Sequence, residues 1–150
     1  MPEFRPALPS DIDALTVLVE AFHVEDGYPF DEAEIRINLA RLLGDPFLGR
    51  AWIAEEDGKA VAYLILGLGF SLEFRGRDAF VDEIYVSPSH RGRGLGTRAL
   101  ALAEEACHEL GVRALHLEVE RENVEAQALY RRIGYKDHDR YLLTKWVERT

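Results

Sequence analysis

A glycine-rich stretch, Arg91-Gly92-Arg93-Gly94-Leu95-Gly96-Thr97, separates an apolar run that reads as a strand, Ala79 to Val86, from a helical run that ends at Leu110. Such a junction demands an α/β arrangement, because the helix must cross back over the sheet before the next strand-like run, Arg113 to Glu120, can pair in parallel. Free backbone N–H groups and the positive end of the helix dipole converge there. Glycines let an oxygen-rich group approach the main chain. The natural occupant is a pyrophosphate, with Arg91, Arg93 and the Thr97 hydroxyl as supplementary donors.

The elements before this junction follow from pattern and punctuation. Phe4 to Leu8 reads as a strand, and Ser10 or Asp11 can cap a helix in which Ile12, Leu15, Leu18, Val19 and Phe22 recur at helical spacing. Gly27-Tyr28-Pro29 breaks it, and Asp31 opens a second helix with an Ile35, Leu39, Leu42, Leu43 stripe. Ala51 to Glu55 and Lys59 to Gly67 are strand-like and joined by Glu56-Asp57-Gly58, whose Asp-Gly pair suits a tight antiparallel hairpin. After the junction, Gly111 stops the third helix, Asn123 caps a last one running to Ile133, Gly134 ends it, and a closing strand is expected around Arg140 to Trp146. The predicted order is β-α-α-β-β-β-α-β-α-β, a mixed α/β sheet.

Length bounds this to one domain over residues 1–150, since 150 residues with 47% hydrophobic content bury one proper core. The longest apolar run, Ala60 to Phe70, is broken by Gly67 and Gly69 and is too short to span a membrane. The start, Met1-Pro2-Glu3-Phe4-Arg5, lacks the features of a secretory leader, and Cys107 is the single cysteine, so the expectation is a cytoplasmic protein without disulfides. Eighteen basic against 27 acidic residues give 18 − 27 = −9, a balance that disfavours nucleic acid and anionic membrane and favours cationic ligands. His23, His90, His108, His116 and His138 show no metal-ligand spacing, and no metal is expected.

Two familiar phosphate-binding patterns can be weighed against the stretch. The stretch lacks the Gly-Lys-Ser/Thr ending of a nucleoside triphosphate loop. Gly94-Leu95-Gly96-Thr97-Arg98-Ala99 does satisfy a relaxed dinucleotide pattern, with Glu118 or Glu120 ending the following strand, but the several βα repeats of a dinucleotide fold are missing.

Arg91-x-x-Gly94-x-Gly96 resembles the coenzyme A pyrophosphate signature of the Gcn5-related N-acetyltransferases, the GNAT family. Val81-Asp82-Glu83-Ile84-Tyr85-Val86-Ser87-Pro88 is similar to that family's fourth strand, and Asn123-x-x-Ala126-x-x-Leu129-Tyr130-x-x-x-Gly134-Tyr135 to its closing helix. Within the family the chain is similar to Hpa2-like and polyamine-acetyltransferase-like members. The resemblance implies the GNAT fold, a central mixed, mostly antiparallel sheet of six to seven strands with about four helices, parallel and splayed at strands 4 and 5.

It also implies acetyl-CoA as co-substrate and direct attack of a primary amine on the thioester within a ternary complex. An amine with a pKa near ~10.4 is mostly ammonium at neutral pH, so a base must remove a proton. The fourth-strand match places Asp82 and Glu83 beside the acyl group; on a regular strand only one faces the site, Glu83 is favoured, and a bulge would upset the parity. Ile84, Tyr85 and Val86 supply the oxyanion donor and pantetheine contacts, Gly92 and Leu95 complete the phosphate cradle, and Asn123 and Ala126 contact the cofactor. Tyr130 corresponds to the tyrosine that stands near the sulfur as proton donor. Phe70 to Gly76 is placed to shape the acceptor pocket, for a small-molecule or peptide amine, preferably cationic. The strand through Trp146 is a candidate homodimer surface. Two other readings keep the phosphate loop: a non-catalytic acyl-CoA sensor on the same fold, and a small dinucleotide-binding protein.

Overall fold

The computed structural model describes residues 2–148, and the chain divides into two compact units, one reaching Leu117 and one beginning at Glu118. The first holds a five-stranded sheet in the order β1-β2-β3-β4-β5, formed by Glu3–Pro6, Gly49–Glu56, Lys59–Ser71, Gly76–Val86 and Ala114–His116. The first three pairings are antiparallel, and β4 with β5 is parallel, as a strand-helix-strand crossover requires. Asp57 and Gly58, with φ of 52° and 76°, make the expected two-residue turn between β2 and β3, in which both central residues need positive φ.

Two helices follow β1: α1, Ile12–Asp26, and α2, Glu32–Gly44. Gly27 closes α1 in the left-handed conformation, and the Asp31 side chain caps α2 by accepting from the Glu34 N–H at 3.2 Å. Asp11 stands at the start of α1 without capping it. Its carboxylate instead receives both arms of the Arg5 guanidinium at 2.8 Å and the Leu8 N–H at 2.7 Å, which ties β1 to the helix start. The sequence offers Ser10 or Asp11 as the cap, and neither side chain accepts an amide of α1 among the described residues; Asp11 is taken by a bidentate guanidinium, which outcompetes a single helix amide for a carboxylate.

The two faces of the sheet carry different partners. Leu15, Leu18 and Val19 of α1 and Leu39 of α2 pack with Ala51, Ile53, Tyr63, Ile65 and Tyr85 on one face. The third helix, α3, Leu95–Leu110, buries Leu95, Ala99, Leu100, Ala103, Ala106 and Cys107 and lies against β3, β4 and β5. Between Ile65 and Leu66 the register of β3 with β4 shifts from Ile65↔Glu83 to Leu66↔Val81, so Asp82 is the extra residue of a β-bulge. Past the bulge the alternation inverts. Glu83 and Tyr85 face α1, and on the other side of Asp82 so do Phe80 and Asp78, opposite Gly67 and Gly69.

The parallel ladder ends at Phe80↔His116, while β4 continues to Val86. The run expected as a strand over Arg113 to Glu120 is therefore assigned only at Ala114–His116. In the second unit, α4, Val124–Arg132, is capped by Asn123, whose side chain accepts from the Ala126 N–H at 3.1 Å, and Gly134 with φ of 110° follows its end. Among the described residues no strand forms around Arg140 to Trp146, so the sheet has five strands where six to seven were expected. Tyr141, Leu143 and Trp146 are more than four-fifths or four-fifths exposed, at 82%, 89% and 80%. The β propensity of that run is satisfied only by a neighbouring strand, and none is provided.

Candidate active site

The glycine stretch begins one residue after a short 3-10 turn, Pro88–His90, that leads out of β4. Gly92 and Gly94 have φ of 77° and 83°, and a Cβ placed on either, or on Gly96, meets nothing within 4 Å. Positive φ explains the first two glycines, and open space in front of all three leaves room for a ligand against the main chain. The amides of Gly92 to Thr97 have no hydrogen-bond partner among the described residues, and the first helical bond of this turn runs from the Arg98 N–H to the Gly94 carbonyl at 3.0 Å. This is a cradle of unpaired N–H donors at the positive end of the longest helix. It fits a phosphate group. Thr97 and Arg93 are exposed beside it, and Leu95 is buried as the anchor of α3.

Arg91 is placed differently from what its spacing suggests. Its Nε donates to the Val86 carbonyl at 2.8 Å, its Nη2 donates to Glu25 Oε2 of α1 at 2.8 Å, and its guanidinium lies 5.5 Å from the centre of the Tyr85 ring. The Glu25 carboxylate raises the Arg91 pKa further above its usual value. The side chain thus joins the loop to the α1 face of the sheet, and the exposed arginine of the loop without an ion-pair partner among the described residues is Arg93.

On that α1 face the bulge separates the two candidate bases. Asp82 is exposed at the bulge, whereas Glu83 turns inward with its side chain 18% exposed. Both of its oxygens are held. The Tyr63 hydroxyl donates to Oε1 at 2.7 Å, and His23 Nε2 of α1 lies 2.7 Å from Oε2. Burial above all, and then the neighbouring Glu83 carboxylate, push the Tyr63 phenol far above its usual pKa, so it stays protonated and remains a donor. His23 is in turn enclosed by Phe22, Tyr28 and Phe30, with ring centres at 5.8, 5.6 and 6.4 Å.

Sequence reasoning reached Glu83 and missed both residues that hold it. Tyr63 had a legible signal, as the one side chain with a hydrogen-bonding group in the apolar run Ala60 to Phe70. His23 had none, because it lies 60 positions from Glu83 at the end of an ordinary amphipathic helix. Ile84 and Val86 project to the face opposite Glu83, and Tyr85 is buried on the same face as Glu83. In the second unit, Asn123 caps α4, Ala126 supplies the capped amide, and Tyr130 is half-buried with its phenol pKa raised by burial, its ring 6.0 Å from that of Tyr135. No cluster of three or more metal-ligating side chains occurs among the described residues, and no helix among them is long and apolar enough to cross a membrane.

The profile of the Acetyltransferase (GNAT) family matches residues 15–135. The chain belongs to the GNAT family. It is 31% identical over 116 residues to the putative [ribosomal protein bS18]-alanine N-acetyltransferase of Bacillus subtilis, covering 71% of this chain and 72% of that protein. Over three other curated relatives, two uncharacterized N-acetyltransferases and a thialysine N-epsilon-acetyltransferase, it spans only 39% to 57% of their length. Among solved structures, an integron cassette protein from the mobile metagenome of Cole Harbour Salt Marsh superposes with a TM-score of 0.86 at 35% identity, covering 98% of this chain and 91% of that one. A predicted acetyltransferase with acetyl-CoA from Clostridium acetobutylicum has the same fold, with a TM-score of 0.82 at 21% identity and 97% and 96% coverage. The GNAT chain described here thus shares both fold and sequence pattern with N-acetyltransferases, and the family uses acetyl-CoA.

Proposed function

We propose that this GNAT protein is an acetyl-CoA-dependent N-acetyltransferase, residues 1–150 working as one catalytic domain that acetylates a primary amine. The observation that carries the reading is the presence, within one compact unit, of an open amide cradle at Gly92–Thr97 and a doubly held, inward carboxylate at Glu83. The cradle binds the co-substrate pyrophosphate through main-chain N–H groups, with Arg93 and the Thr97 hydroxyl adding donors. Arg91 contributes by fixing the loop to Tyr85 and Glu25 rather than by touching phosphate.

Glu83 takes a proton from the acceptor ammonium, and the freed amine lone pair attacks the thioester carbonyl carbon; the attacking nitrogen sheds its second proton to solvent as the intermediate collapses to the amide. Negative charge then develops on the carbonyl oxygen. Pairing with β3 uses only alternate N–H groups of β4, so others along Ile84–Val86 point to the edge that β5 has left after Phe80↔His116, and one of them serves as oxyanion donor. Collapse breaks the C–S bond, and the departing thiolate takes a proton from a general acid, the role for which the closing-helix motif nominates Tyr130. The products are the amide and free coenzyme A.

A cationic amine suits the acceptor side, where Glu83 and Glu25 stand in a protein of formal charge −9. The relative named for alanine of a ribosomal protein makes a peptide N-terminus one candidate class, and small amines are the other. The test is thermal stabilisation by acetyl-CoA followed by thiol release over a panel of amines. Acetyl-CoA at about 100 times its Kd should stabilise by ~2.7 kcal/mol, and Gly94→Glu should abolish the shift. No stabilisation at saturating acetyl-CoA overturns the reading; binding without thiol release on any amine points to an acyl-CoA sensor.

A further inference from the structure

His23 lies outside the glycine stretch, the fourth-strand motif and the closing-helix motif, yet it is among the best-packed polar side chains on the α1 face, with 12% of its side chain exposed. Its two ring nitrogens have opposite circumstances. Nε2 lies 2.7 Å from the Glu83 carboxylate, while Nδ1 is buried with no hydrogen-bond partner among the described residues. A buried N–H without an acceptor is rarer and more costly than an unused acceptor. The ring is therefore best placed as the neutral tautomer that carries its hydrogen on Nε2 and gives it to Glu83, leaving only a lone pair on Nδ1.

Taking Glu83 as the base, as proposed above, we infer that His23 is a positioning residue for it: Nε2–H donates to Oε2 while the Tyr63 hydroxyl donates to Oε1, and the two donors fix the rotamer of the carboxylate. The aromatic rings of Phe22, Tyr28 and Phe30, two of them close to perpendicular to the imidazole at 76° and 85°, hold the plane of the donor. A carboxylate with each oxygen held from a different element has its remaining lone pairs aimed in one direction, which is what proton abstraction in a near-attack geometry needs. His23 transfers no proton in this arrangement. The proton from the acceptor stays on Glu83, because Nδ1 is enclosed and Nε2 already carries hydrogen.

The charged and titratable groups around Glu83 are His23 from α1, Tyr63 from β3, and Asp82 and Tyr85 from β4, with Arg91 and Glu25 reaching the same face through the Tyr85 ring. The other account of the contact is a staple between α1 and β4 that matters for stability alone. A pH profile separates the two, because removing a donor from a carboxylate favours its protonated form and moves the acidic limb of kcat/KM to higher pH, whereas a lost staple leaves that limb where it was.

The experiment uses the full chain with acetyl-CoA and an amine that turns over, comparing the wild type with His23→Ala, His23→Gln, Tyr63→Phe and Glu83→Gln. His23→Ala should lower kcat about tenfold, with the acidic limb raised and acetyl-CoA stabilisation unchanged. His23→Gln, whose amide N–H reaches the position of Nε2, should recover kcat to within about threefold of the wild type. Ring-nitrogen NMR on the wild type, which needs no variant to fold, should find hydrogen on Nε2 and none on Nδ1. The inference is overturned by hydrogen on Nδ1, by an acidic limb that stays put in His23→Ala, or by equal kcat in the Ala and Gln variants. Its failure is separable from failure of the base assignment: a Glu83→Gln protein with wild-type kcat removes Glu83 as base, whereas an inactive Glu83→Gln beside an unaffected His23→Ala removes only His23.

Discussion

His23 reaches Glu83 from a helix, His116 reaches Asp78 from the neighbouring strand at 3.1 Å, and both carboxylates project from the same face of β4. The burial of the two pairs is alike, with side chains 12% and 18% exposed in the first and 15% and 11% in the second. What differs is the surrounding. Asp78 sits where β4 is still paired with β5, its imidazole partner wedged between Phe74 and Phe80 at 4.4 and 4.8 Å. Glu83 sits past the end of that ladder and has a second donor in Tyr63. A histidine–carboxylate pair is common structural currency, so only the second donor and the released strand edge mark Glu83 as the one suited to chemistry.

The largest expected effect divides the pairs outright. Glu83→Gln should lower kcat about 100-fold or more, while Asp78→Asn should leave kcat within about threefold, both read by thiol release at saturating acetyl-CoA. Equal losses would erase the distinction drawn here. Stability should run the other way for the second pair: Asp78→Asn leaves His116 facing a poorer acceptor in a closed setting and should cost roughly 2 kcal/mol in chemical denaturation. A finer probe is Gly69→Ala, whose Cβ would stand 2.8 Å from Asp78 Oδ1. It should cost about 1 kcal/mol by crowding that carboxylate and leave the acidic limb of the rate profile unmoved.

Asp11 extends the contrast to a carboxylate with a purely structural role. The Arg5 guanidinium holds its pKa below the ordinary 3.8. A depressed carboxylate contributes stability that is complete above its unfolded value and disappears as pH falls through the folded one. Asp11→Asn should therefore cost roughly 1 kcal/mol at pH 7, with the gap to wild type closing below about pH 4, because the exposed Arg5 side of the pair is screened by solvent. A gap that persists at pH 2 would mean that packing, not charge, is what Asp11 supplies.

Local chemistry was legible in the amino-acid order, and contacts made over distance were not. Asp57-Gly58, the Asp31 and Asn123 caps and the glycines that end α1 and α3 each act within a few residues, so their types alone announce the structure. The same holds for the amide cradle, which depends on glycine and on a helix start. Ser10 and Asp11 are equal cap candidates by residue type, and what draws Asp11 away, its partner Arg5, belongs to another element; for Arg140 to Trp146, residue type shows what a strand could be and not whether a neighbour is there to receive it. A motif points to Glu83 as a candidate, while His23 and Tyr63, which hold it, come from α1 and β3 and meet it only in the folded chain.

The extra residue in β4 shifts the phase of inside and outside along one strand. Were Asp82 drawn into a regular ladder instead of bulging, Phe80 and Asp78 could no longer share a side with Glu83 and Tyr85; one half of the strand would have to roll over. Because Asp82 bulges out of the ladder, the strand keeps a histidine staple at one end and an acid at the other on a common surface, with aliphatic packing behind both. Redesign of the acceptor side has a natural boundary at that position, since substitutions on either flank are free to change chemistry only while the phase is kept.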